Sequence, residues 1–366
     1  MHDHIPRFFE VAQLAREADR DVIDMVGGEP DWEPPDGIRA GLHAYADMPV
    51  ETFQYAPSRG LQSLREAIAA SHEVNDDAVI VTNGTGEANY LAMVAALADG
   101  TGTRFIAVDP VYPYYPAKAR MLGAPIDLVP TSPDGSPPVE GIAETATDET
   151  AAIIINTPNN PTGAVYSATK MAAIAEIADE VDAIVISDEV YDHFDYTEQF
   201  CSAREVAPDA SIVTNAFSKS MAITGFRVGY ALVPSAFRST VRQHHLLINV
   251  SGSRPAQAAV ANALPETPPD YYQANRDRMA DRIDTFTAGL SEIGIDHVTP
   301  SGAFYVMAHI PGHTGSMATV KTLIDEAGVA AMPGDRFGDA AGDWVRFALL
   351  TPRIAEALDR LEAFVG

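Results

Sequence analysis

Residues 183–191 read Ala-Ile-Val-Ile-Ser-Asp-Glu-Val-Tyr, an apolar and mostly β-branched run that ends in charged and aromatic residues. Such a continuous apolar run suits a strand that is covered on both faces, as in a parallel sheet. Comparable runs occur at residues 78–82, 104–108, 152–156, 211–215 and 228–233. Helix-like patterns lie between several of them, at residues 61–74, 87–98 and 168–181. The sequence therefore predicts an α/β fold with a mostly parallel central sheet.

The pattern of the chain changes near residues 247–255. The later candidates are a long polar helix, a strand and two more helices, at residues 271–290, 302–308, 317–327 and 352–364. We predict a large α/β domain over residues 35–250. Residues 1–34 and 251–366 are expected to form a smaller α+β domain with an N-terminal arm.

Composition limits the function. The 366 residues include 24 Lys+Arg and 51 Asp+Glu, which gives a formal net charge of −27. A field of this sign repels nucleic acids and anionic membranes, so we expect neither as a partner. The acidic residues are spread along the whole chain, which suggests a halophile-like surface that is adapted to high salt. No apolar run is long enough to span a membrane.

The single cysteine, Cys201, excludes an intramolecular disulfide and a multi-cysteine zinc site, and it favours a reduced, cytoplasmic protein. His244 and His245 lack the spacing of metal ligands relative to nearby carboxylates, so we interpret them as surface residues. We expect no metal.

Lys219 is one of only four lysines in the chain. A partly desolvated lysine can lose its proton and form a Schiff base with an aldehyde, whereas arginine stays protonated. A solvated surface lysine is the ordinary alternative. The position of Lys219 argues against that alternative, because it follows the predicted strand at 211–215.

Polar segments follow three other predicted strands. Residues 83–87 form a small, glycine-rich connection, residues 157–163 form an Asn- and Pro-rich turn, and Asp188 follows the strand of the opening segment. The carboxyl ends of parallel strands meet at one edge of a sheet, where ligands bind. We therefore expect these groups and Lys219 to converge on one site, with amides at the start of a helix suited to a phosphate.

In this order, the segments resemble the class I/II aminotransferases, which are fold-type I, pyridoxal-phosphate-dependent enzymes. The resemblance covers nearly the whole chain. It rests on Gly28-Glu29-Pro30-Asp31, Tyr55-x-Pro-x-x-Gly60, the turn at 159–163, residues 188–191, Ser218-Lys219 with Arg227, residues 302–305, Pro333-Gly334-x-x-Phe337-Gly338, and Arg346. The resemblance implies an aspartate aminotransferase-like fold, with a large and a small domain, and a homodimer with shared active sites.

The resemblance also implies catalytic roles. Lys219 would bind pyridoxal 5'-phosphate covalently and then transfer the substrate proton. Asp188 would face the pyridine nitrogen and keep it protonated. Tyr191 and Asn160 would bind the phenolic oxygen of the cofactor, and Tyr112 would stack on its ring.

For the cofactor phosphate, the resemblance implies Arg227, the hydroxyl of Tyr55 from the other subunit, and amides of a helix start. The residues of that helix start are Thr85, Gly86 and Glu87. The family usually has a serine three positions before the lysine, and here that position is Ala216. Ser218 is a candidate for replacing the lost contact.

For the substrate, the resemblance makes Arg346 the anchor of the α-carboxylate, because a guanidinium can bind a carboxylate through two parallel hydrogen bonds. Asn160, Tyr112 and the backbone of Gly28 would assist. The predicted reaction moves an amino group between an α-amino acid and a 2-oxo acid by a ping-pong mechanism.

Two questions stay open at this level. A carbon–sulfur β-lyase shares every motif above, and aspartate-like, aromatic and histidinol-phosphate substrates are all compatible with them. A second substrate carboxylate would need another cation, from the N-terminal arm, from the neighbouring subunit, or from Arg254 or Arg336. A nicotinamide dehydrogenase is disfavoured, because the third glycine of a dinucleotide fingerprint is missing after Gly84 and Gly86.

Overall fold

The architecture centres on a seven-stranded sheet in a computed structural model that describes residues 8–131 and 135–366. From one edge to the other, its strands are β2 (Val79–Thr82), β8 (Gly229–Leu232), β7 (Ser211–Ala216), β6 (Ile184–Asp188), β5 (Thr150–Asn156), β3 (Arg104–Asp109) and β4 (Ile126–Pro130). Only β8 runs antiparallel to its neighbours in this sheet. The predicted α/β fold with a mostly parallel sheet is confirmed.

The register of the sheet aligns the ends of its central strands. Asn156 at the end of β5 lies opposite Asp188 at the end of β6, and Asp188 lies opposite Thr214 near the end of β7. Nearly all side chains of these three strands are buried. The polar residues that follow the strands therefore meet at one edge, as the sequence predicts.

Helices cover this sheet and join its strands. They are α2 (Asp36–Ala46), α3 (Gln62–Ser71), α4 (Gly84–Asp99), α5 (Tyr114–Met121), α6 (Val139–Thr145), α7 (Ala168–Glu180), α8 (Ala203–Val206), α9 (Phe217–Ser220), α10 (Arg238–Asn249) and α11 (Arg254–Ala263). The sequence pattern did not predict β4, because most of its side chains are only partly buried or exposed.

A second group of elements surrounds a four-stranded antiparallel sheet. The order of this sheet is β12 (Met332–Pro333), β13 (Val345–Ala348), β10 (Tyr305–His309) and β9 (Asp296–Val298). A short parallel pair joins β1 (Ile23–Asp24) to β11 (Val329–Ala330). The accompanying helices are α1 (Phe8–Glu17), α12 (Pro269–Glu292), α13 (Met317–Thr322), which continues as a π-helix over Leu323–Ala327, and α14 (Ile354–Val365).

Each sheet has its own hydrophobic core, which accords with a large and a small domain. Helix α11, however, packs against α2, where Gly37 and Gly41 leave no room for a Cβ next to Ala263 and Ala259. Ala256 and Val260 of α11 belong to the core of the large sheet. We therefore propose that the large domain extends beyond residue 250 to include α11, and the other boundaries stay predictions.

No helix in residues 8–131 and 135–366 combines the length and the apolar character that a membrane crossing requires.

Candidate active site

A cavity of about 450 Å³ opens at the carboxyl edge of the large sheet, against elements of the smaller one. Most of the predicted site residues line it: Gly28, Thr85, Gly86, Tyr112, Asn160, Asp188, Tyr191, Ser218, Lys219, Arg227 and Arg346. Segments that are far apart in sequence thus meet in one place, because the parallel strands end there.

Lys219 lies on α9, the short helix that directly follows β7. Its Nζ donates a hydrogen bond to the carbonyl oxygen of Gly28. Burial, with the positive charge of Arg346 as a smaller cause, lowers the pKa of Lys219 to about 8. An amine with this pKa is available as a nucleophile and as a base near neutral pH.

Asp188 is buried at the end of β6, with its carboxylate between two helices. Its Oδ2 accepts hydrogen bonds from Asn89 on α4 and from the hydroxyl of Tyr115 on α5, each at 2.7 Å. Its Oδ1 accepts a longer one, of 3.3 Å, from the amide of Val190. Burial raises the pKa of Asp188, and these hydrogen bonds oppose the rise.

Three polar side chains near the end of β5 are connected in series by hydrogen bonds. The hydroxyl groups of Tyr191 and Tyr305 are 3.0 Å apart, and the amide of Asn160 donates to Tyr191 at 3.5 Å. Burial, and then the neighbouring Tyr305, raises the pKa of Tyr191 well above its usual value. Tyr191 therefore stays a neutral phenol that can donate a hydrogen bond to an oxygen of a bound molecule.

Arg346 lies on β13 and is almost completely buried, which is unusual for an arginine. Its Nη1 donates to Oδ1 of Asn160 at 2.9 Å, and its Nη2 donates to the carbonyl oxygen of Val26. The guanidinium carbon lies 4.2 Å from the centre of the Tyr305 ring. Burial lowers the pKa of Arg346, but an arginine keeps its charge in a protein.

The cavity can hold a phosphate where α4 begins. Thr85 and Gly86 are in its first turn, where backbone N–H groups lack intrahelical partners and attract anions. A Cβ on Gly86 would meet no atom within 4 Å, so the space beside this turn is open. Ser218 also lines it, and Arg227 holds a left-handed conformation with φ of 55°.

Arg227 is fixed by two backbone carbonyls, those of Thr224 at 2.8 Å and Asn83 at 3.3 Å. Gly84 has a φ of 71°, a left-handed conformation that favours glycine, and a Cβ there would lie only 2.5 Å from the guanidinium of Arg227. Pyridoxal 5'-phosphate fits this donor set: amides and a cation for the phosphate, a carboxylate at depth, and an amine between them.

Glu87 does not line the cavity. Its Oε2 accepts a hydrogen bond from the amide of Asn83, and its Oε1 contacts Nδ1 of His245 at 2.6 Å. The interpretation of His245 as a surface residue is wrong, because it is buried on α10 against this carboxylate. The side chain of Glu87 therefore stabilises the connection between β2 and α4. Any contact of Glu87 with a phosphate would use its backbone amide.

Tyr55 is 81% exposed and lies outside the cavity of its own chain, and Ala216 is buried without lining the cavity. The two arginines that the sequence suggested for a second carboxylate also lie elsewhere. Arg254 donates to the backbone carbonyls of Gln54 and Tyr55, and Arg336 pairs with Asp335.

The sequence profile of the family described as "Aminotransferase class I and II" matches residues 20–361. The chain belongs to the class I and II aminotransferases. A probable aspartate/prephenate aminotransferase of Thermus aquaticus is 33% identical to it over 353 residues, 93% of this chain and 90% of the relative. A probable N-succinyldiaminopimelate aminotransferase of Mycobacterium tuberculosis is also 33% identical, over 91% and 86% of the two chains.

A solved structure agrees with this membership. Thermus thermophilus aspartate aminotransferase with maleate superimposes with a TM-score of 0.90 at 30% identity, over 98% of this chain and 96% of that one. The protein is a pyridoxal-phosphate-dependent aminotransferase of fold type I. Both sequence relatives and the superimposed structure carry the names of aminotransferases rather than of lyases.

Several residues lining the cavity of this aminotransferase escaped the predictions from sequence: Arg16, Asp24, Glu29, Asn89, Tyr114, Tyr115, Asn156, Thr224 and Tyr305. Three of them had a signal. Tyr115 is three residues after Tyr112, on the helix that follows β3, and Glu29 and Tyr305 lie within the recognised segments 28–31 and 302–305. Asn89 had none, because its direction depends on the rotation of α4 about its axis.

Proposed function

We propose that Lys219 is the group that binds the cofactor and moves the substrate proton in both half-reactions of a ping-pong amino transfer. The observation that carries this role is its placement: Nζ lies beside Gly28, among Asp188, Arg346 and Arg227, with its pKa lowered to about 8. When bound, pyridoxal 5'-phosphate supplies an electron-accepting ring. Asp188 would hold the proton on that ring, and Tyr191 would donate to its phenolic oxygen.

Substrate positioning is assigned to Arg346 and Asn160. Arg346 presents a charged fork whose Nη1 already binds Asn160, so the two side chains can receive one carboxylate together. Tyr112 would cover the cofactor ring, and Gly28 limits the space on the other side. A Cβ on Gly28 would lie 2.9 Å from Nζ of Lys219 and 2.5 Å from the hydroxyl of Tyr305.

We propose that Arg16 binds the second carboxylate of a dicarboxylic substrate. Four basic side chains line the cavity among residues 8–131 and 135–366: Arg16, Lys219, Arg227 and Arg346. The last three have proposed roles, whereas no hydrogen bond or ion pair joins the exposed Arg16 to another described residue. Arg16 lies on α1, in the N-terminal part of the chain that the sequence suggested as a source of this cation. An acidic amino donor such as aspartate therefore fits best.

The test is a panel of amino donors with 2-oxoglutarate, measured for the unmodified protein and for Arg16→Leu. We expect kcat/KM for aspartate to fall by about 10- to 100-fold in the variant, as for the loss of one charged hydrogen bond. An aromatic or neutral donor should change by less than about 3-fold. Equal losses for both donors would refute the role of Arg16, and pyruvate and ammonia release from the donor alone would favour a lyase.

A homodimer with shared sites is proposed on the exposure of Tyr55 and of several large hydrophobic side chains. These side chains are Val50, Phe53, Leu247, Ile248 and Val250, each at least half exposed. Apolar areas of this kind usually become buried in an interface. The cytoplasmic location rests on the free, buried Cys201 and stays a prediction.

A further inference from the structure

Lys118 is a second lysine whose amine is buried, and the function described so far does not use it. It lies on α5, one helical turn after Tyr114 and Tyr115, and it does not line the cavity. Its Nζ is inaccessible to solvent and has no hydrogen-bond acceptor among the described residues. A buried ammonium without an acceptor is costly, so its retention needs a reason.

The surroundings of Lys118 supply a reason for a buried ammonium at this position. Its Nζ lies 5.6 Å from the centre of the Tyr114 ring and 5.9 Å from that of Tyr115, within the range of cation–π attraction. The hydroxyl of Tyr115 donates to Oδ2 of Asp188 at 2.7 Å. The ammonium, the phenol and the carboxylate therefore form a series that ends at Asp188.

We propose that Lys118 is a positioning residue that holds Asp188 in its carboxylate form, acting across the ring of Tyr115. The inference rests on the role proposed for Asp188. A cation next to a phenol makes its O–H a stronger donor, and the same positive charge favours a carboxylate over a neutral acid in a site that excludes water. Lys118 touches neither cofactor nor substrate in this arrangement.

The charged and titratable groups around Lys118 and Asp188 support an electrostatic interaction between these two residues. Asp188 is the charged group that acts on Lys118, and Tyr114 and Tyr115 are the titratable groups beside it on its own helix. From α4, the residue that faces Asp188 is the uncharged Asn89. Burial lowers the pKa of Lys118 to about 8, and Asp188 opposes this shift. Lys118 also counts among the influences that lower the pKa of Asp188.

The first test uses the protein without cofactor and does not depend on activity. Carbon-13-labelled lysine gives signals from only four side chains, which Lys→Met variants assign. We expect the pKa of Lys118 to fall by at least about 0.5 in Asp188→Asn, because the carboxylate that stabilises the ammonium is gone. An unchanged Lys118 titration would refute the coupling, whatever the reaction of the enzyme.

The second test uses the protein with bound cofactor and follows its absorbance against pH. Lys118→Met removes a buried positive charge, so the protonated form of the bound cofactor should persist to higher pH. Lys118→Arg should restore the original midpoint, and Lys170→Met, which removes an exposed charge, should leave it unchanged. A midpoint in Lys118→Met equal to that of Lys170→Met would overturn the proposal. Methionine is similar in size to lysine, so Lys118→Met and Lys170→Met should both fold.

Discussion

Arg346 and Asn160 are 186 residues apart in the chain, yet a hydrogen bond of 2.9 Å joins Nη1 of one to Oδ1 of the other. The contact connects β13 of the small sheet with the turn that follows β5 of the large one. The pair that we propose to bind the substrate carboxylate is therefore assembled from elements of both sheets. A substrate that binds there links the two sheets through a single charged group.

Replacing Arg346 with lysine tests this pair. Lysine keeps the charge but loses the planar fork, and Asn160 would lose a buried donor. We expect kcat/KM for amino donors to fall by about 30- to 4000-fold, which corresponds to about 2–5 kcal/mol for a truncated buried charge contact. Steady-state kinetics measures the change. Arg238→Lys, in a partly exposed ion pair with Asp77, is the matched control and should retain activity.

Lys219→Ala should abolish turnover and covalent attachment of the cofactor while the fold is retained. The loss of proton transfer alone is expected to reduce kcat by about 10²- to 10⁴-fold. Borohydride reduction followed by mass spectrometry reports the covalent bond, and circular dichroism reports the fold. A covalent adduct in the variant, or activity close to that of the unmodified protein, would disprove the assignment.

The pH dependence of stability offers a test without cofactor. Because the folded-state pKa of Lys219 is about 8 against an ordinary 10.5, the unfolded chain holds a proton between these values that the folded chain has released. The free energy of unfolding should therefore rise with pH across this window, by up to about 1.4 kcal/mol per pH unit for this lysine. Below pH 8 the contribution should be flat.

Urea unfolding of the unmodified protein and of Lys219→Met at several pH values isolates that contribution as a difference. Buried tyrosines with raised pKa values are common to both proteins, so their effects cancel. Lys170→Met provides the control, and its difference from the unmodified protein should not vary with pH. A difference for Lys219→Met that stays constant from pH 8 to 10 would contradict the lowered pKa.

Tyr55 should act in the neighbouring subunit. Tyr55→Phe is expected to weaken cofactor retention by about 10-fold, as for the loss of one hydrogen bond to a charged group. Mixed dimers of one Tyr55→Phe subunit and one Lys219→Ala subunit distinguish whether Tyr55 acts in its own subunit or in the partner. If Tyr55 serves the partner, both defects fall in the same site of the mixed dimer and the other site is intact. Cofactor retention at the intact site should match the unmodified protein, and uniform weakening would exclude the shared arrangement.

The acidic surface predicts a dependence on salt. With a net charge of −27, self-repulsion should be strong at low ionic strength and screened at high ionic strength. We expect the thermal midpoint to rise between about 0.1 M and about 3 M KCl, where the Debye length falls below about 3 Å. Equal midpoints and equal activity in the two solutions would remove the halophile interpretation.

The sequence predicted the part of the site that the parallel sheet determines. Asp188 is the last residue of a central strand, Asn160 and Lys219 each follow one, and strand ends in register bring these residues together. Residues whose direction depends on the rotation of a helix about its own axis were harder to predict from the sequence. Asn89 and Tyr115 reach Asp188 only because α4 and α5 present those faces to β6. Tertiary packing, rather than a local pattern, sets such directions.

His245 shows the same limit in a different way. Two adjacent histidines on a polar helix suggest an exposed pair, yet one of them is buried because Glu87 from α4 lies opposite. The partner is 158 residues away, and no spacing rule connects the two. The domain boundary predicted at residue 250 is subject to the same limit, since the close packing of α11 on α2 depends on Gly37 and Gly41, more than 200 residues earlier in the chain.

The distribution of the four lysines has a practical consequence. Lys170 and Lys321 are exposed, whereas the amine of Lys118 is inaccessible to solvent and that of Lys219 lies in the cavity, where the proposed covalent bond to the cofactor would block it. An amine-reactive dye or resin should therefore attach to the cofactor-bound enzyme at these two exposed lysine side chains. The enzyme can be tethered to a solid support through a few known points, with its reactive centre left unmodified.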